Sequence, residues 1–159
     1  AQKATSVLQR ILAHNPNRAG AYVQLALVQA DGKQNVPRTA VQNLEKAVQL
    51  GLDSPHLQAI AHQMLGQYQL AIGKNDLALQ HLDQAIAAVK GVDQDEINPL
   101  FQAQLYHLRS LVYQRKQQPD QARQDAEQAV SLAQATGNDK VVAYYQREME
   151  ILHQQNGRV

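Results

Sequence analysis

Between His62 and Ala85 the sequence alternates bulky residues with residues that have almost no side chain, at helical intervals. That spacing restricts the fold more than any other feature. It runs His62-x2-Leu65-Gly66-x2-Gln69, then Gly73, then Ala78-x3-Leu82-x2-Ala85. Positions three and four apart share one side of a helix, so each half carries a packing stripe. Gly73-Lys74-Asn75-Asp76 between the halves has the composition of a turn. At Gly66 and Ala78 two backbones can approach closely, because nothing larger than a methyl group separates them. The stretch is an antiparallel helix pair.

The pattern recurs. Upstream it reads Tyr22-x2-Leu25-Ala26-x2-Gln29, then Gly32, then Ala40-x3-Leu44-x2-Ala47. Downstream it reads Tyr106-x2-Arg109-Ser110-x2-Tyr113, then Ala122-x3-Ala126-x2-Ala129. Arg109 stands where leucine is expected, and Leu108 beside it is the candidate for the buried role. The small residues Ala26, Gly66 and Ser110 fall 40 and 44 residues apart. A period in this range means stacked units, each of which buries its apolar face only against its neighbours.

These residues resemble the tetratricopeptide repeat, whose pattern is W-x2-L-G-x2-Y, then A-x3-F, then P. His62 and Gln69 depart from the usual aromatics. The steps are longer than the family's repeat of about 34 residues and are similar to the longer repeats of kinesin light chains and bacterial peptide-sensing regulators. The resemblance implies an all-α fold, a right-handed superhelical stack of antiparallel helix pairs closed by a C-terminal capping helix. It also implies a concave face that holds partner peptides. One subfamily clamps a terminal carboxylate with Lys, Asn and Arg. The matching positions here are Val23 and Leu27, Met64, then Gln104 and Leu108, so that clamp is absent.

Local punctuation supports the same parsing. Pro37, Pro55, Pro99 and Pro119 stand where helices should begin, with Ser54 and Asn98 as N-caps for two of them. Gly32, Gly51, Gly73, Gly91 and Gly137 each follow a helical stretch, where a left-handed residue is wanted. Asn138 or Asp139 caps a last helix with Val141, Val142, Tyr145, Met149 and Leu152 on one side. The reading is eight helices, over 3–14, 18–31, 37–50, 55–72, 75–90, 98–117, 119–136 and 139–155. They group into one domain over 1–159: a half repeat (3–17), three repeats (18–54, 55–97 and 98–137) and a capping helix (138–156). Ala4, Leu8 and Ile11 already have second-helix spacing, so the chain is expected to open partway through a repeat, as a fragment or after loss of a leader.

The net charge of +1 shows no global bias toward nucleic acid or anionic lipid. There is no cysteine, which removes disulfides and thiolate metal sites and leaves the compartment open. No apolar run is long enough to span a membrane. None of the six histidines forms H-E-x-x-H. His62 is expected to pack as a hydrogen-bonded stand-in for an aromatic, while His81 and His107 could meet across helices. No phosphate loop, nucleophile elbow or dinucleotide fingerprint occurs. Asp93-Gln94-Asp95-Glu96 lacks the glycine of a calcium loop and reads as a solvated link. Arg109, Arg115, Lys116 and Arg123 form a local basic patch, offset by Asp120, Asp125 and Glu127. No catalytic residue, metal site or cofactor is expected.

What remains is a second face on the first helix of each pair. It carries Val23 and Leu27, then Gln63, Gln67 and Leu70, then His107, Leu111 and Gln114, with Gln104 beside the last set. It is apolar at one end, rich in glutamine at the other, and carries little charge. Glutamine offers two donors and an acceptor, suited to an extended peptide backbone. The expectation is a non-catalytic scaffold that binds a protein or peptide in its concave groove, without nucleic acid or membrane contact by this segment. The alternative is a self-assembly module, a homo-oligomer pairing through its terminal helices.

Overall fold

Prolines and capping side chains set the helix starts in the computed structural model, which describes residues 2–93 and 96–157. Among these residues lie eight helices and no strands: α1 (Gln2–His14), α2 (Ala19–Ala30), α3 (Arg38–Leu50), α4 (Pro55–Ala71), α5 (Asn75–Lys90), α6 (Pro99–Arg115), α7 (Pro119–Gln134) and α8 (Asp139–Asn156). The Ser54 hydroxyl accepts from Leu57 N at 3.4 Å, and Asn98 Oδ1 accepts from Leu100 N at 2.9 Å. Asn138 Oδ1 takes the Lys140 and Val141 amides in the same way. Each satisfies donors that the first turn leaves without an intrahelical partner. The link expected at 93–96 falls partly on Gln94 and Asp95, which lie outside the described residues.

The helix ends use the left-handed conformation at Gly32, Gly51, Gly73 and Gly137, but Gly91 is right-handed, with φ −81°. The α4–α5 and α6–α7 turns share one geometry. Gly73 N donates to Leu70 O and Lys74 N to Gln69 O; Gln117 N donates to Gln114 O and Gln118 N to Tyr113 O. This paired capping pattern needs a left-handed residue at its corner. Gly73 supplies it at φ 78°, whereas the third unit uses Gln117 at φ 57°.

Each helix packs on the next in sequence, and α2, α4 and α6 also touch in turn. The apolar core is therefore strung out rather than central. Leu12 of α1 meets Ala21 and Leu25 of α2. Val23 and Ala26 join Leu44 and Ala47 of α3 and Met64 and Leu65 of α4. Leu70 of α4 joins Leu82 and Ile86 of α5 and Leu105 and Val112 of α6. Ala103 of α6 joins Val130 and Ala133 of α7 and Tyr145 of α8. Because α4 and α6 each serve two clusters, no unit is complete without the next. The close approach expected at Gly66 is present: a Cβ added there would lie 2.9 Å from Leu82 Cγ and 3.4 Å from Ala78 O.

The basic patch is dissolved into ties between elements. Arg109 of α6 reaches Asp83 of α5 at 2.7 Å and grips Asp125 of α7 with Nε and Nη2 at 2.6 and 2.8 Å. Its guanidinium also stands 5.5 Å from the Tyr106 ring centroid and 5.6 Å from that of Tyr113. Arg115 donates to Leu70 O at the end of α4, and Lys116 pairs with Asp76 in the first turn of α5. Only Arg123 is left on exposed partners along its own helix, Asp120 and Glu127.

Candidate functional site

α4, α6 and α8 stand along one side of the stack, and their facing side chains leave a cleft of about 550 Å³. Gln63 and Gln67 line it from α4, Leu100, Gln104, His107 and Leu108 from α6, and Lys140, Val141, Tyr144 and Tyr145 from α8. Helical spacing does this: 63 and 67, 100, 104 and 108, and 140, 141, 144 and 145 each recur every three to four residues and share one face. Gln63 Nε2 lies 3.5 Å from Gln104 Oε1. That is longer than the usual N–H···O range of about 2.7–3.2 Å, so both amides can turn toward a ligand.

His107 sits at the far wall. Its ring is edge-on to Tyr144 and Tyr145, with centroids 6.1 and 5.6 Å away. Its Nε2 is 3.9 Å from Glu148 Oε2. Burial lowers the His107 pKa below its ordinary 6.5, against an upward pull from Glu148. The imidazole is therefore neutral at pH 7, with one donor and one acceptor nitrogen. Burial, with a smaller push from Tyr144, raises the Tyr145 hydroxyl to about 12, so it keeps its proton. Tyr144 remains 51% exposed. The cleft thus offers amides, aromatic rings and one cation, Lys140, which is the equipment of recognition. Among the described residues no group of three or more His, Cys, Asp or Glu is gathered to hold a metal ion.

Of the nine residues expected on the open face, Gln63, Gln67, Gln104 and His107 line the cleft. Val23, fully buried, and Leu70, 6% exposed, do not belong to it. Val23 faces the neighbouring first helix and packs with Met64 and Leu65, while Leu70 packs with Leu82 and Leu105. Leu27 and Leu111 are half-buried against the same cores. Gln114 lies deeper along α6, donating to Gln155 Oε1 of α8. His81 meets His62 and not His107: their Nδ1 atoms are 3.0 Å apart. Sequence reasoning missed the α8 wall, because a capping helix is expected to turn a polar face outward. The available signal was the Tyr144-Tyr145 pair, one of which cannot follow the other into the core.

With this geometry in place, comparison with known proteins defines the class. Residues 103–136, spanning most of α6 and α7, match the tetratricopeptide repeat family. The chain is an all-α helical repeat protein, one segment of which matches a tetratricopeptide repeat. Proteins of this class are generally non-catalytic scaffolds for contacts between proteins, made on the extended concave surface of the stack. It is similar to solved structures of MamA. One crystal structure of MamA aligns over 98% of this chain and 90% of that one, with 20% identity and a TM-score of 0.62. A second aligns over 97% and 83%, and the MamA RS-1 ArsTM double mutant over 97% and 85%, at the same identity and score. At that identity the likeness shows the fold. Comparison with curated proteins gives no match.

Proposed function

We propose that the chain is a protein-interaction scaffold that holds an extended peptide segment in the α4–α6–α8 cleft. The carrying observation is that three glutamine amides and the exposed Tyr144 converge on one concavity. Gln63, Gln67 and Gln104 bond the peptide backbone through either end of their amides. Leu108, Val141 and the two tyrosines receive an apolar or aromatic side chain, and Lys140 favours a neighbouring carboxylate on the ligand. Aromatic anchors of this kind carry most of the energy at protein interfaces.

Selection from a displayed random-peptide library tests this. Enriched peptides should bind the native chain and lose at least about tenfold in affinity to Gln67→Ala or Tyr144→Ala, a difference of about 1.4 kcal/mol. Binding that survives both changes removes the cleft from the account.

A second reading is self-association through α1. Val7 is 54% exposed and, with Ile11, Arg10, His14, Asn15 and Arg18, borders a depression of about 390 Å³. Sedimentation velocity decides it: self-association should appear as a concentration-dependent mass that Val7→Asp abolishes, and a constant monomer mass rules it out.

A further inference from the structure

We propose that the outer face of α1 is a docking strip for an amphipathic helix of a partner protein, one whose apolar stripe is flanked by carboxylates. The shape of the occupant follows from the repeat. In each complete unit the residue three places after Ala40, Ala78 or Ala122 bonds back to the first helix of that unit. Asn43 Nδ2 donates to Gln29 Oε1 at 2.9 Å, His81 and His62 bring their Nδ1 atoms to 3.0 Å, and Asp125 accepts from Arg109 Nε at 2.6 Å. α1 has the same second-helix spacing in Ala4-x3-Leu8-x2-Ile11, and Val7 holds the equivalent position. α3, α5 and α7 each pack between two first helices, whereas α1 packs on α2. Leu8 and Leu12 are turned to α2, and Val7 is left 54% exposed. The face is therefore shaped to receive a helix antiparallel to α1. Val7 calls for an apolar residue there, where the complete units pair polar ones.

The charge of the occupant follows from the rim. Val7 and Ile11 floor a depression of about 390 Å³ that Arg10 and Arg18 border. α1 carries no Asp or Glu, and among the described residues no carboxylate pairs with either arginine. In the third unit, by contrast, Arg109, Lys116 and Arg123 each have such a partner. Two guanidiniums beside an apolar floor favour carboxylates on the incoming helix and steer its approach. Helices of this kind dock through apolar anchors one turn apart, laid into a groove. A second copy fits less well. Pairing α1 with α1 sets the same arginines against each other, and α8 shows Arg147 one turn from the exposed Ile151. The strip lies at the other end of the stack from the α8 wall of the cleft, so the two can be filled together.

The probes are designed helical peptides of about five turns with leucines along one stripe. One carries glutamate on both flanks, one carries lysine there, and one keeps the glutamates but scrambles the leucines. Fluorescence anisotropy against the full chain should show the glutamate peptide bound at least about tenfold more tightly than the other two. Its affinity should fall as salt is raised. Val7→Asp should weaken it at least about tenfold, while Lys90→Glu at the end of α5 should change nothing. Arg10→Glu with Arg18→Glu should turn the preference to the lysine peptide, a gain that an unfolded variant cannot produce. Equal affinity for the glutamate and lysine peptides, no binding up to about 1 mM, or binding that Tyr144→Ala abolishes and Val7→Asp does not, overturns the proposal. So does sedimentation showing that the chain alone associates through α1, which would make a second copy the occupant.

Discussion

Arg109 and Asp125 form a two-pronged pair across α6 and α7, with Nε at 2.6 Å from Oδ2 and Nη2 at 2.8 Å from Oδ1. Asp125 is only 5% exposed, and burial alone would lower the Arg109 pKa. Hydrogen bonds donated to Asp125 and then to Asp83 outweigh that and raise it, so the pair is a matched set whose halves are costly alone. Asp125→Ala should destabilise the chain near the lower end of about 3–5 kcal/mol, since Arg109 keeps Asp83. Arg109→Leu restores the residue the repeat pattern expects but strands Asp125. The double change Arg109→Leu with Asp125→Ala should therefore recover most of the loss. Urea unfolding measures all three, and equal stability of Asp125→Ala and the native chain would mean that the pair holds nothing together.

Close packing at Gly66 gives a second expectation. An added methyl there meets Leu82, which is fully buried and has no room to retreat. Gly66→Ala gains about 1 kcal/mol of helix propensity, but overpacking costs about 1–3 kcal/mol, so the net effect should be destabilising. Ala78→Leu, on the opposite wall, should lose about 1–3 kcal/mol. Gln80→Ala, on the exposed side of α5, should change stability by less than about 0.5 kcal/mol. Thermal melts of the three variants check the order.

Gln117 occupies a left-handed corner that its counterpart Gly73 fills without strain. A side chain costs roughly 1–2 kcal/mol in that conformation, and glycine returns about 0.4–1 kcal/mol through the freer unfolded chain. Gln117→Gly should therefore stabilise the chain by about 0.5–1 kcal/mol. A lower denaturation midpoint in the glycine variant would show that Gln117 earns its place by contacts instead.

Part of the pH dependence of stability follows from His107, one of three histidines whose pKa is lowered by burial. Its native pKa is held below the ordinary 6.5, first by burial and despite Glu148. When the pH falls through that ordinary value, the unfolded chain takes up the proton before the folded one does, and stability drops. The contribution is complete above the ordinary value and is lost as the pH descends toward the native one. Melting temperatures at pH 7.5 and pH 5 should therefore fall further for the native chain than for His107→Gln. Parallel losses in the two proteins would show that His107 is not the titrating group.

Much of this fold was legible because its signals are local. Small residues at Gly66, Ala78 and Ala40, prolines at helix starts and caps at Ser54, Asn98 and Asn138 act within one or two turns, and each appears where the spacing puts it. What the sequence could not reveal depends on the angle between neighbouring helices. That angle buries Val23 and Leu70 although they share a helix face with residues that open on the concave side. It also carries α8 around until Tyr144 faces α6, and it brings His81 to His62. Arg109 looked like one member of a basic patch because its partners are 26 and 16 residues away on other helices.

The proposal that a peptide lies in the cleft between α4, α6 and α8 meets its sharpest test in amide chemical-shift mapping. A peptide selected on the native chain is titrated into isotopically labelled protein and every shifted residue is assigned. The shifts should concentrate on Gln63, Gln67, Gln104, His107 and Tyr144, and the Gln63 and Gln104 side-chain amides should move with them. Shifts confined to α1, or to the outward faces of α3, α5 and α7, would contradict the claim and place the binding surface elsewhere.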